Sequence, residues 1–341
     1  MTRSTSGGSV LGLDIGGTKL AAGVATPEGR MLAEARVATD VADGPDAVIA
    51  RLVDLARRVV SDAGLRPSDL ASIGIGCGGP LDPWRGVVLN ALNNPGWIDV
   101  PIVRRIEQEL GRPAYLDNDA NAAALGEHRF GAGRGTDHMV YLTISTGVGG
   151  GVIAGGRILR GENGNAAELG HISVNAHGRP CHCGSIGCVE AYASGTNIAV
   201  RAREALEATD EPSSLRRLDP ASLTAADVVD AVGSGDALAR EVWDETTTLI
   251  GAGIASVVHA FNPRLVVVGG GVANAGGLLF GPVRRIVAER TMPWLHEVVS
   301  VVPAELGTRT GVLGAVAVAL DGPRTLAERP TIAAAHGRID A

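Results

Sequence analysis

The sequence predicts an α/β protein in two strand-initiated halves, and three observations carry that expectation. Short apolar runs such as Val10–Leu13, Ile73–Gly76 and Leu265–Val268 end in glycine-rich turns. Stretches of helical period follow them, and the alternation begins anew past a boundary between about 112 and 120. The chain of 341 residues is long enough for two domains.

Taken in order, residues 1–9 read as a flexible lead. Val10–Leu13 is a buried strand running into Asp14, and Leu20–Ala25 with Met31–Val37 have hairpin spacing. From Gly44 to Asp62 the apolar positions recur at helical spacing, with Gly64 and Pro67 closing the helix. The strand Ile73–Gly76 opens onto Gly78-Gly79-Pro80. A helix over 102–110, a strand over 114–116 and a helix over 120–130 come next. His138–Ile144 and Gly151–Ala154 read as strands flanking the loop 145–150. Helices are expected over 197–208, 225–232, 237–261, 278–290 and 311–320. These assignments divide the chain into a smaller N-terminal α/β domain over 10–116 and a larger one over 117–322. A mobile tail is expected over 323–341, and the last helix can pack back on the first domain.

Composition removes several classes of function. The formal charge of −7 argues against sequence-independent nucleic-acid binding, and aromatic content of 3 % leaves few platforms for stacking bases. No apolar run reaches the ~18 residues that span a bilayer, and the N-terminus lacks a signal peptide's apolar core, so a cytoplasmic protein is expected. Glycine is the outlier: 48 residues, about twice the usual share, clustered in short motifs. Such clusters suit ligand sites lined by backbone.

In Asp14-Ile-Gly-Gly-Thr-Lys19, Gly16 and Gly17 let backbone N–H groups approach phosphate oxygens, and the Asp14 carboxylate suits a hydrated Mg²⁺. The long spacing of a Walker A loop is missing, and a plain hairpin turn has the same appearance. Thr146-Gly147-Val148-Gly149-Gly150 again joins two strands, and two such turns can clamp a polyphosphate from both sides. Gly269-Gly270-Gly271 follows a strand; it suits a nucleotide base or ribose, or merely caps the strand. Asn118 offers a donor and an acceptor to a sugar hydroxyl, while Asp119 reads as an N-cap of the following helix or as a carboxylate that accepts a hydroxyl proton.

The sharpest motif is His171-x9-Cys181-x-Cys183-x4-Cys188. Imidazole and thiolates in a set of four favour tetrahedral Zn²⁺, and four protein ligands leave no open position, so the site should be structural. Three cysteines within eight residues fit a cytosolic metal site better than a disulfide framework. His177 and His182 lie in the same loop as alternative ligands and are read as surface residues. Cys77 stands apart as a small apolar residue. Glu168 and Glu190 bracket the loop; they are either solvated charges or carboxylates held for vicinal hydroxyls.

Together these motifs resemble the ROK family of bacterial sugar kinases and regulators, glucokinases above all, from about Val10 to Leu320. The signature runs through Glu168-Leu-Gly-His171 and Cys-x-Cys-Gly-x-x-Gly-Cys-x-Glu190. The resemblance implies a two-domain hexokinase/actin-like (ribonuclease H-like) fold with the active site in an interdomain cleft. It implies ATP with Mg²⁺ at Asp14, Gly16, Gly17, Thr18 and Lys19, at Thr146, Gly147 and Gly149, and at Gly270 and Gly271. It makes Asp119 the catalytic base for the sugar 6-hydroxyl and matches Asn118, Glu168, His171 and Glu190 to sugar-binding positions, with Gly79 and Asn93 as weaker matches. His171 would use one ring nitrogen for structural zinc and the other for a hydroxyl. Cys77-Gly78-Gly79-Pro80-Leu81-Asp82 departs from the more usual Pro-Gly-Pro-Val-Asp. Glucose is the expected substrate, with N-acetylmannosamine, N-acetylglucosamine or fructose as alternatives and polyphosphate as an alternative donor. A sugar-responsive transcriptional regulator is the rival of another class; such regulators carry a helix-turn-helix domain, whereas nine residues precede the first strand here. The family also implies a homo-oligomer, a dimer or a tetramer.

Overall fold

The first apolar run forms β1 (Val10–Ile15), buried along almost its whole length, as expected of a central strand. In this computed structural model, residues 8–91 and 96–327 are described. Asn93 and the expected lead and tail at 1–7 and 328–341 lie outside them.

β1 turns back into β2 (Lys19–Ala25) and β3 (Met31–Ala38), both antiparallel. Helix α1 (Gly44–Asp62) then lays Val48, Leu52, Leu55, Ala56 and Val59 into the apolar core and returns the chain to β4 (Ile73–Cys77), which pairs with β1 in parallel. Such a parallel return needs a crossover helix. A small antiparallel sheet of β5 (Leu81–Asp82), β6 (Val87–Asn90) and β7 (Ile98–Val100) intervenes before α2 (Ile102–Leu110). β8 (Ala114–Asn118) closes the main sheet in the order β3-β2-β1-β4-β8.

The second sheet repeats this plan. Helix α3 (Asp119–Phe130) leads to β9 (Met139–Ile144), β10 (Val148–Ala154) and β11 (Arg157–Ile158), again antiparallel neighbours. The cysteine loop follows, then the helices α4 (Glu190–Ala193), α5 (Gly195–Ala208), α6 (Ala225–Gly233) and α7 (Ala237–Phe261). β12 (Leu265–Gly269) joins β9 in parallel, and past α8 (Gly277–Arg290) and α9 (Pro293–His296), β13 (Ser300–Pro303) completes the order β11-β10-β9-β12-β13. Each sheet is thus a three-strand meander extended by two parallel strands, with a glycine turn between its first two strands.

The chain forms two compact units. One holds the described residues up to Asp119, Arg160–Ala166 and those from Ala315 on; the other holds Ala120–Leu159 and Ala167–Gly314. Each has its own apolar cluster, around Leu11, Ile75 and Leu116 in the first and Val140, Trp243 and Val266 in the second. The last helix, α10 (Thr310–Ala327), continues five residues into the segment that lacks a core pattern, and Thr325 there is buried. Its approach to β4 depends on Gly74, where a Cβ would collide with the carbonyl oxygen of Ala315. Among the described residues no helix is long and apolar enough to cross a membrane.

Candidate active site

In the first unit, β1 delivers Asp14 to the turn formed by Gly16, Gly17 and Thr18. The turn is tied by Gly16 N–H to Lys19 O at 3.0 Å and by the Thr39 hydroxyl to Gly16 O at 2.6 Å. Thr18 and Lys19 are exposed. Burial and the nearby Asp119 carboxylate push the Asp14 carboxyl up to about 6, against the pull of Lys19 and Arg36. Asp119 is the exposed first residue of α3, directly after Asn118 at the end of β8. Two carboxylates thus share one locality, and the charge of one raises the other. Cys77, at the end of β4, is fully buried in the apolar cluster, as its reading from sequence has it, and burial raises its thiol strongly.

A Cβ on Gly79 would stand 3.4 Å from Asn118 Nδ2 and 3.7 Å from Asn165 Oδ1, so these three residues meet. Asn165 accepts from Leu81 N–H at 3.1 Å and donates to Leu81 O at 3.1 Å. Nothing in its sequence context marks it for this place. Behind Asn118, the buried Asp117 accepts from Asn118 N–H at 2.9 Å and from Arg160 at 2.9 Å, and Arg160 also donates to Asp321 at 2.9 Å.

In the second unit the glycine turn is shorter than the glycine run. Only Ser145, Thr146 and Gly147 lie between strands, while Gly149, Gly150 and Gly151 lie inside β10. Packing accounts for these strand glycines: a Cβ on Gly149 would stand 3.1 Å from Ala120 Cβ, on Gly150 2.7 Å from Leu169, and on Gly151 2.6 Å from Ala124. Gly270 has φ 87°, and a Cβ there would collide with Ile144 O, so this turn admits only glycine. Thr146 and Gly271 line one cavity of about 670 Å³ together with Gly195, Thr224 and Asn274. Those last three have no sequence signal; the Thr196 hydroxyl bonded to Thr146 O at 3.0 Å and Gly195 N–H bonded to Ser145 O at 2.7 Å bring α5 to the turn.

The cysteine loop is shaped by short turns: Gly184 N–H bonds Cys181 O at 3.0 Å and Cys181 N–H bonds Ser185 O at 2.8 Å. Ligand atoms of His171, Cys181, Cys183 and Cys188 all lie within 4.8 Å of one another. Cys181 Sγ is 3.7 Å from His171 Nδ1, and Cys183 Sγ is 3.7 Å from Cys188 Sγ. Metal–sulfur bonds of about 2.3 Å at tetrahedral angles give edges of about 3.8 Å, so this donor set fits zinc. Burial pushes the Cys181 thiol up to about 12, and a bound zinc would hold it as the thiolate instead.

His171 Nε2 faces the exposed Glu168 carboxylate at 3.9 Å. Glu190 is buried rather than solvated. Its Oε2 accepts from Val148 N–H at 2.7 Å, a bond that passes Gly147, where a Cβ would stand 2.7 Å from the same oxygen. His182, set aside in the sequence as a surface residue, is exposed, yet its Nδ1 lies 3.1 Å from Glu190 Oε1. His177 is exposed and joins no ligand cluster among the described residues.

Known proteins bear on this arrangement along nearly the whole chain. Residues 10–322 match the ROK family. A glucokinase of Thermotoga maritima is 38 % identical over 311 residues, 91 % of this chain and 96 % of that protein. A ROK hexokinase from Thermus thermophilus has the same fold with TM-score 0.78 at 38 % identity, covering 93 % of this chain and 99 % of the other. A ROK glucokinase from Streptomyces griseus, solved in complex with glucose and AMPPNP, has TM-score 0.77 at 37 % identity over 92 % of this chain and 100 % of the other. With both the motifs and the two-domain actin-like α/β fold in common with these proteins, the chain belongs to the ROK family.

Proposed function

We propose that this chain is an ATP-dependent hexose kinase that phosphorylates glucose at its 6-hydroxyl. The observation that carries the reading is the pair of carboxylates, Asp14 beside a glycine turn and Asp119 beside Asn118, close enough for one to raise the other. Phosphoryl transfer needs this division: one carboxylate for the metal–phosphate charge, one to accept the hydroxyl proton. The relatives supply the choice of sugar, since glucose and a nucleotide analogue are bound by the Streptomyces griseus protein.

On this reading Asn118, Gly79, Glu168, His171 and Glu190 position the sugar, with Asn93 and Asn165 as further candidates. Asp119 takes the proton from the attacking hydroxyl, a step worth about 10²–10⁴-fold. Backbone N–H groups at Gly17 and Gly147, with the side chains of Thr18, Lys19 and Thr146, hold phosphate oxygens, and Gly16, whose own N–H bonds Lys19 O, shapes the turn that presents them. Gly270 and Gly271 lie on the adenosine side; Gly149 contributes through strand packing. Mg²⁺ bound near Asp14 would neutralise phosphate charge. Zinc held by His171, Cys181, Cys183 and Cys188 would brace the loop that carries Glu190. A cytoplasmic dimer or tetramer is the family expectation, which light scattering checks.

The test is a steady-state screen of glucose, fructose, N-acetylglucosamine and N-acetylmannosamine with ATP, and of glucose with polyphosphate. Glucose with ATP is expected to have the highest kcat/KM. A preference of tenfold or more for another sugar would overturn the substrate, and no turnover of any sugar would overturn the kinase.

A further inference from the structure

Glu190 Oε1 is buried and has no hydrogen-bond partner, although its sister oxygen is satisfied by Val148 N–H. A buried, unsatisfied carboxylate oxygen is costly unless a ligand completes it. Beside it stand the rings of His171 and His182, with centroids 5.8 Å apart at an interplanar angle of 74°. One ligand atom from each of His171, His182 and Glu190 lies within 4.8 Å of the other two. Three points so spaced always share a point no more than about 2.8 Å from each (4.8/√3), the length of a good hydrogen bond. A single hydroxyl oxygen can therefore touch all three groups, donating to the carboxylate and accepting from an imidazole N–H.

We infer that His182 is a substrate-contacting residue, the third side of a corner that binds one sugar hydroxyl together with Glu190 and His171. The inference rests on the hexose-kinase reading and deepens it. His182 is 66 % exposed and holds no zinc-ligand position in the set of four, so its ring is free to meet a ligand without carrying the loop. Its contact with Glu190 Oε1 is close in distance but lacks hydrogen-bond geometry, which leaves that oxygen for the ligand.

The experiment compares wild type, His182→Ala and His182→Gln with glucose, 2-deoxyglucose, 3-deoxyglucose and 1,5-anhydroglucitol, with zinc per chain measured for each protein. The expected result is a glucose KM raised about tenfold in His182→Ala, the loss of one hydrogen bond. The KM for ATP stays unchanged, kcat stays within about twofold, zinc is retained, and Gln restores part of the affinity. One deoxy sugar, the one lacking the contacted hydroxyl, is expected to lose its wild-type penalty in His182→Ala. A glucose KM within twofold of wild type, or a rise that tracks zinc loss in both variants, overturns the contact. Wild type that turns over none of these sugars sinks the glucose-kinase reading itself and this inference with it.

Discussion

At the scale of single residues, Asp119 and Asp14 have separable tests. Asp119→Asn keeps size and polarity but accepts no proton, so kcat is expected to fall at least ~10²-fold while glucose still binds. Calorimetric binding together with near-normal turnover would remove Asp119 from the chemistry. Asp14 is tested through stability. Its folded-state carboxyl lies at about 6, above the ordinary 3.8, so the neutral form is favoured in the ligand-free fold. That contribution is fully present below pH ~4 and is lost as pH rises through about 6, amounting to about 3 kcal/mol. Asp14→Asn should therefore match wild type in urea unfolding near pH 4 and exceed it in stability near pH 7.5. Equal stabilities at both pH values would contradict the assigned cause. The clustering of His171 with the three cysteines was legible at this scale because few residue types make a soft metal donor set and their spacing is short. Asn165 and His182 were not, since each becomes notable only through a partner brought close by the fold, Leu81 for one and Glu190 for the other.

At the scale of elements, glycines separate into those that packing demands and those it does not. Gly74 on β4 sits beneath the α10 backbone at Ala315 and Ala319, which cannot give way as a side-chain tip could. Gly74→Ala is expected to destabilise by about 1–3 kcal/mol or to prevent folding. Gly233, at the end of α6, has open space around it, and Gly233→Ala should be neutral or stabilising by up to about 1 kcal/mol. Thermal melts of the two variants decide this, and similar shifts for both would count against the packing account. The same distinction explains the second glycine run. Its sequence reads as a loop over 145–150 with a strand from Gly151, but β10 already begins at Val148, and Gly149–Gly151 serve the approach of Ala120, Leu169 and Ala124 to it. Long helices such as α1 and α7 were legible from their period. The strands β5, β6, β7 and β13 have two to four residues, too few to express one.

At the scale of the molecule, the four side chains proposed to hold zinc all fall in one unit, and each unit has its own apolar cluster. Structural zinc contributes roughly 10–16 kcal/mol in finger peptides, so its removal should have a large but local effect. Strong chelation is expected to abolish glucose binding before nucleotide binding. Hydrogen exchange should then speed up across 171–192 while β1, β2 and β4 keep their protection. Unchanged glucose affinity in protein shown to be zinc-free would end the idea of a brace.

Sequence by itself determined the alternation of strands and helices, the family, and the grouping of His171 with Cys181, Cys183 and Cys188, because these rest on residue type and short spacing along the chain. Only the tertiary structure decided that the two sheets share one topology, that Glu190 is buried with an oxygen left unsatisfied, and that His182 stands beside it. Those facts depend on which distant segments come into contact and on which polar atoms lose water as they do, and a linear pattern does not record either.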